Sequence, residues 1–183
     1  LLELEEIIAV LQQMCSALDH IHERKIVHRD VKLSNIMLDY KNNRSVLFDF
    51  GLGHDLNGPP PPEGRVYGSP MFLAPEQAVG GPVDARTDLY SLGITLYRLT
   101  VGALPFYGER NELLHAHLKL TPPDPCSAGV KEDLAQIIMR SISKNASERF
   151  QSGADFAAAL ATVELERPKH RRRNILSRIS GRH

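Results

Sequence analysis

His28-Arg29-Asp30-Val31-Lys32-Leu33-Ser34-Asn35, followed by Asp49-Phe50-Gly51, is the stretch that decides the fold. Between its halves lie two apolar runs of strand length, Ile36 to Leu38 and Val46 to Phe48, rich in branched residues. Asp39-Tyr40-Lys41-Asn42-Asn43 between the runs carries turn chemistry. The pattern predicts a hairpin with Asn35 at its entrance and Asp49 at its exit. Both oxygen-bearing side chains then fall at one end of the hairpin, close enough to share a hard cation. Mg²⁺ takes oxygen ligands, usually only one or two from protein, with phosphates and water completing the shell.

These motifs, in this order and with a hairpin between them, resemble the protein kinases. His28-Arg29-Asp30 with Asn35 beyond it matches the catalytic loop, and Asp49-Phe50-Gly51 matches the metal-binding triplet. The resemblance implies that Asp30 accepts the proton of the substrate hydroxyl, while Asn35 and Asp49 hold Mg²⁺. It also implies that Lys32 steadies the γ-phosphate of ATP, that Met37 lies under the adenine, and that His28 and Arg29 anchor the loop. Phosphoryl transfer needs positioning and charge neutralisation more than covalent help, and this residue set supplies both.

Composition bounds the remainder. A chain of 183 residues with 42% hydrophobic content suits one compact domain. No apolar run is long enough to span a membrane and no secretory signal pattern occurs. Cys15 and Cys126 fit no metal spacing, and Cys15 falls on the apolar side of the first helix, as a reduced core thiol would. The zero formal net charge hides an asymmetry: no acid follows Glu166, yet seven of the 22 basic residues do, leaving 15 against 22 acids in the body.

Along the chain, residues 2 to 24 predict an amphipathic helix, with Leu4, Ile7, Ile8, Leu11, Cys15, Leu18 and Ile21 at helical spacing. His20 and His22 lack the i, i+4 partner that a helical zinc site uses, so they are assigned packing or surface roles. Residues 52 to 68 are expected to be loop throughout, with prolines at 59 to 62. In the kinase pattern this is the activation loop, whose phosphorylated Ser or Thr is gripped by the arginine beside the base. No Ser or Thr occurs from Leu52 to Gly68, which departs from that pattern and leaves Arg29 either solvated or paired with Asp55 or Glu63.

Gly68-Ser69-Pro70-Met71-Phe72-Leu73-Ala74-Pro75-Glu76 resembles the substrate-docking segment, with Ser69 facing the base and lysine. By the same resemblance Glu76 is a buried anchor that needs a cation, and Arg149 supplies it. Asp84 to Leu99 is apolar nearly all round after Leu89 and predicts a helix buried on all sides. It resembles the central helix of the kinase large lobe, which implies that Asp88 fastens the catalytic loop. Residues 109 to 118, 131 to 143 and 153 to 164 predict three more helices. The expected fold is therefore α+β, mainly α: a kinase-like large lobe over residues 1 to 165, then a basic tail at 166 to 183.

The tail is expected to be disordered or to lie against an anionic membrane surface, with nucleic acid a poorer fit. A Gly-rich phosphate loop, a strand lysine and its partner glutamate do not occur in these residues. The start at Leu1 favours a piece of a longer kinase over a degenerate form kept for binding. The resemblance implies ATP, Mg²⁺, protein substrates with Ser or Thr, a separate small lobe as partner, and a cytoplasmic location or the cytoplasmic membrane face. The alternative function is an interaction module without transfer.

Overall fold

The computed structural model describes residues 2 to 165 apart from Pro61 and Glu63, so the basic tail lies outside the described residues. Its architecture is the expected one, mainly helical with a few short strands. The first helix, α1 (Leu4–His22), opens on Glu3, whose backbone N–H donates to the Glu6 carboxylate at 2.8 Å. Its buried face is Ile7, Ile8, Leu11, Met14, Cys15 and Leu18, the apolar side read from the periodicity. Cys15 is unoxidised and buried, and burial pushes its thiol up to about 12.

Two small antiparallel sheets follow. β1 (Ile26–Val27) pairs with β4 (His54–Asp55), and β2 (Ile36–Asp39) pairs with β3 (Arg44–Leu47). The second pair is the expected hairpin, in the register Ile36 to Leu47 and Asp39 to Arg44. Its second strand starts earlier than Val46 and ends before Phe48, although the Phe48 N–H still donates to the Asn35 carbonyl at 3.0 Å. β4 corrects the all-loop reading of residues 52 to 68. At two residues long it carries no alternation that sequence could reveal, and it exists because Ile26–Val27 offers it a partner.

After the short α2 (Pro75–Ala78) comes α3 (Ala85–Val101), the centre of the molecule. Asp84 caps it, accepting from the Arg86 N–H at 2.9 Å, while Thr87 Oγ1 accepts from the Asp84 N–H at 3.2 Å. Leu89, Tyr90, Leu92, Ile94 and Leu96 are fully enclosed, so the helix is buried on all sides as its composition requires. A Cβ on Gly93 would collide with the side chains of Ser141 and Ile142, which lets α5 (Glu132–Ser141) pack closely on α3. Gly102, in the left-handed region at φ 82°, ends the helix. α4 (Arg110–Lys119) and α6 (Gly153–Leu160) complete the lobe, and α6 packs against α1.

Glu76 of α2 and Arg149 tie the two ends of this arrangement together. Arg149 Nη1 and Nη2 each donate to one Glu76 oxygen at 2.9 Å, and Thr87 Oγ1 donates to Glu76 Oε1 at 2.8 Å. The remaining guanidinium N–H groups go to the carbonyls of Arg86, Ser143 and Lys144, and the group lies 4.8 Å from the Tyr90 ring. Arg149 is 1% exposed, so removing Glu76 leaves a buried cation with carbonyls alone. Glu76→Ala and Arg149→Ala should each cost about 3–5 kcal/mol, with little further loss in the double variant. Denaturant titration of the three proteins checks this; additive losses would refute the coupling.

A second buried polar group sits on α4. His117 Nδ1 lies 2.9 Å from the Tyr90 hydroxyl, and its ring packs edge-on to Phe106. Burial, reinforced by the nearby Lys144 ammonium, pushes its pKa down from 6.5 to about 4. The unfolded chain then takes up this proton near pH 6.5, whereas the folded one resists it until about pH 4. Stability held above pH 6.5 should therefore be lost as pH falls toward 4, by at most about 3 kcal/mol from this residue. Comparing unfolding free energies of the wild type and His117→Asn across that window checks it: the variant, which keeps an acceptor for Tyr90, should show the shallower slope.

Candidate active site

The catalytic-loop residues leave β1 and turn sharply against α3. Arg29 adopts the left-handed region at φ 65°, a conformation that costs a non-glycine residue about 1 kcal/mol or more. Asp88, on the first turn of α3, holds it there. Its carboxylate accepts from the backbone N–H of His28 (2.8 Å) and of Arg29 (2.8 Å), and from His22 Nε2 (2.8 Å). Asp88 is fully buried, so those donors replace water entirely. His22 belongs to this anchor, which the packing-or-surface assignment missed. Only its position at the last turn of α1 hinted at the role, because its partner lies 66 residues away.

The sharp turn delivers Asp30 into a ring of donors. Lys32 Nζ donates to Asp30 Oδ2 at 2.7 Å and to Ser69 Oγ at 2.7 Å, and the Ser69 N–H donates to Asp30 Oδ1 at 2.9 Å. Asn35 Nδ2 donates to the Asp30 carbonyl at 2.9 Å and reaches Oδ2 at 3.3 Å. Partial burial works to raise the Asp30 pKa, but the hydrogen bonds from Lys32 and Ser69 outweigh it and hold the carboxyl below the usual carboxylate range. Asp30 is therefore an anion at neutral pH. The structure brings together Asp30, Lys32, Asn35 and Ser69, drawn from two segments almost 40 residues apart.

The metal-type ligands sit beside this ring. With its nitrogen spent on Asp30, the Asn35 side chain has its amide oxygen left to offer a cation. Asp49 follows directly on Phe48, whose N–H bonds Asn35, so the two ligands share one end of the hairpin. Asp49 is itself left-handed at φ 65°, with Oδ1 accepting from the Gly51 N–H at 3.3 Å. It is exposed. An amide oxygen and a carboxylate are hard donors suited to Mg²⁺, and their small number matches a metal that keeps water or phosphate ligands. Among the described residues no cluster of three or more His, Cys, Asp or Glu could hold a metal ion by itself.

His28 supports the exit of the hairpin. Its Nδ1 accepts from the Asp30 N–H at 3.3 Å, which leaves Nε2 to donate to the Phe48 carbonyl at 3.0 Å, and its ring meets Phe50 edge-on. Met37 of β2 is 55% exposed, beside a hairpin end that also presents Phe48 and Phe50 to solvent. Arg29 is not solvated. It is 9% exposed, its Nε donates to the Leu52 carbonyl at 2.6 Å, and its guanidinium lies 4.8 Å from the Tyr67 ring. Among the described residues no carboxylate, Asp55 included, is ion-paired to it, and Glu63 lies outside the described residues. Gln77, which the sequence reading passed over, is 4% exposed and donates to the carbonyls of both Arg29 and Tyr67.

Comparison with known proteins agrees with this geometry. The protein kinase domain model matches residues 1–160. The chain is 40% identical over 168 residues to the serine/threonine-protein kinase Pkn1 of Myxococcus xanthus, covering 87% of this chain and 24% of that protein. It is 36% identical over 162 residues to PknB of Mycolicibacterium smegmatis, covering 85% and 26%. It is 39% identical over 156 residues to the DNA damage-responsive kinase RqkA of Deinococcus radiodurans, covering 81% and 23%. The chain thus spans about a quarter of the length of the curated relatives it matches. A catalytic-loop turn pinned by a buried carboxylate, an aspartate ringed by lysine, serine and asparagine, and a family match over most of the length lead to one conclusion: the chain belongs to the protein kinase family, as its large lobe, with bacterial Hanks-type kinases as relatives.

Proposed function

We propose that this lobe carries the catalytic and substrate-docking residues of a serine/threonine protein kinase, which moves the γ-phosphoryl group of ATP to Ser or Thr hydroxyls of proteins. The observation that carries the proposal is the ionised Asp30 carboxylate, held by Lys32, the Ser69 N–H and Asn35 with the oxygen ligands Asn35 and Asp49 adjacent. The serine/threonine class rests on the Lys32–Ser69 contact and on the relatives' names. Protein kinases as a family use ATP and Mg²⁺, which supply the transferable group and neutralise its charge. Two unoxidised cysteines agree with a cytoplasmic setting, which is part of the same proposal.

Asp30 orients the incoming hydroxyl by accepting its hydrogen bond. A carboxyl with a lowered pKa is a weak base, so Asp30 takes the proton only as the oxygen becomes acidic, late in transfer. Lys32 reaches both Asp30 and Ser69 and so brings a positive charge to the spot where the phosphoryl oxygens carry negative charge. Ser69 opens the docking segment that runs to Glu76, so the Glu76–Arg149 pair holds the floor on which a substrate chain lies.

In a chain joined to a small lobe, Asp30→Asn should lower transfer by about 10²–10⁴-fold while ATP affinity stays unchanged, because Asp30 addresses the hydroxyl and not the nucleotide. Steady-state phosphorylation and nucleotide titration check this; normal turnover would remove Asp30 from the role. Residues 1 to 183 by themselves should fold yet give no radiolabel transfer from ATP to a basic protein above an Asp49→Ala blank. Around an open site the effective dielectric rises from about 20 toward about 80, and the charge stabilisation fades with it. Incorporation above the blank would show that residues within this chain cover the phosphates.

A further inference from the structure

Arg29 is held through its backbone N–H and carbonyl, its Nε and the face of its guanidinium, with no phosphate among these contacts. Its strained backbone persists only if its surroundings over-determine it. The Arg29 N–H goes to Asp88 Oδ1, its carbonyl accepts from Gln77 Nε2 at 3.0 Å, and its guanidinium is shared between the Leu52 carbonyl and the Tyr67 ring. Gln77 Nε2 also donates to the Tyr67 carbonyl at 3.1 Å, while Gln77 Oε1 accepts from the Ala74 N–H at 3.0 Å. One buried amide thus fastens the catalytic loop, the end of the 52–68 segment and the docking segment together. The approach is close enough to need glycine: Gly68 has φ 112°, and a Cβ there would stand 2.7 Å from the Arg29 carbonyl.

The hydroxyl inventory of the segment sharpens the point. Residues 52 to 68 contain no Ser or Thr, and Tyr67 is their single hydroxyl. Ser69 Oγ is already bonded to Lys32. Among the described residues no carboxylate lies within ion-pair distance of the Arg29 guanidinium. Tyr67 stands two positions before Ser69, so slack at Tyr67 passes directly to the N–H that holds Asp30 Oδ1.

We propose that Tyr67 and Gln77 are positioning residues that take the place of an activation-loop phosphate: they hold Arg29, and through it Asp30 and Ser69, in the working arrangement without phosphorylation. The proposal rests on reading Arg29-Asp30 as the catalytic loop, but the clamp can be measured in a chain that transfers nothing. Its failure and the failure of the kinase reading are thereby separate results. The cation–π contact needs the ring of Tyr67 and not its hydroxyl. Tyr67→Phe should therefore be silent and Tyr67→Leu should not. Gln77→Glu keeps the acceptor for Ala74 and loses both donated bonds, which gives a second probe should Tyr67→Leu fail to fold.

The test uses residues 1 to 183, with thermal melting to separate local from global effects. One readout is trypsin cleavage after Arg65, which is exposed just upstream of the clamp. The other is hydrogen exchange at the Ser69 N–H, the donor to Asp30 Oδ1, which a merely structural loss elsewhere would not move. Tyr67→Leu and Gln77→Glu should be cleaved about three- to tenfold faster than wild type at matched global stability, and their Ser69 N–H should exchange faster. Tyr67→Phe should match wild type in both, and phosphatase treatment should change nothing. Wild-type behaviour of Tyr67→Leu or Gln77→Glu, or damage from Tyr67→Phe equal to that from Tyr67→Leu, would overturn the proposal. So would protection that vanishes on removing a phosphate from Tyr67.

Discussion

The carboxylate of Asp88 is the constraint on which the rest of the site depends. It is a fully buried anion with no lysine or arginine ion-paired to it among the described residues. An unpartnered carboxylate in that place would cost several kcal/mol, so its stability comes from three donated hydrogen bonds and from the positive end of α3. Hydrogen bonds to a charged group contribute about 1.5–3 kcal/mol each. Two of these come from successive backbone N–H groups of the catalytic loop, and they are made with Arg29 in the left-handed region. The strain at Arg29 is thus the cost of satisfying Asp88, and the direction of Asp30 is its consequence.

The second constraint runs the other way, from the docking segment to the late part of the chain. Glu76 and Arg149 are 73 residues apart, and their bidentate pair is backed by three carbonyls and a tyrosine ring. Thr87 joins it to the helix that carries Asp88, being the adjacent residue and a donor to Glu76. The two carboxylates, buried Asp88 beneath the catalytic loop and half-buried Glu76 beneath the docking segment, are therefore fixed by the same turn of α3. Displacing that turn would disturb both segments together. This coupling explains why a helix with so little exposed surface carries Thr87 and Asp88; its other buried hydroxyls, Ser91 and Thr95, are satisfied by the carbonyls of Phe72 and Ser91.

The hairpin end has a different character. Asp49 is exposed, as are Met37, Phe48 and Phe50, whereas Asp30 and Asn35 a short distance away are enclosed. Asp30, Lys32, Asn35 and Ser69 are preorganised by this lobe's own hydrogen bonds, whereas Asp49 and the apolar side chains around it meet open solvent. Preorganised dipoles are worth most where water is excluded, so on the proposed reading the lobe supplies the hydroxyl side of the site ready-made and leaves the nucleotide side open.

Much of this was legible in the sequence because it is local. The apolar spacing of α1, the all-round apolarity of α3 and the hairpin between Asn35 and Asp49 are each written within a short local stretch of chain. The grouping of Asp30, Lys32 and Asn35 was legible too, since they stand at fixed spacings along one loop. What only the tertiary structure decided are partnerships across long separations: His22 with Asp88, Gln77 with the carbonyls of Arg29 and Tyr67, Arg29 with Leu52 and Tyr67, and the two-residue β1–β4 ladder. The physical reason is the same in each case. A histidine, a glutamine or a two-residue strand has no periodicity of its own, and its role is set by which buried donor or acceptor the folded chain leaves within 3 Å or so of it.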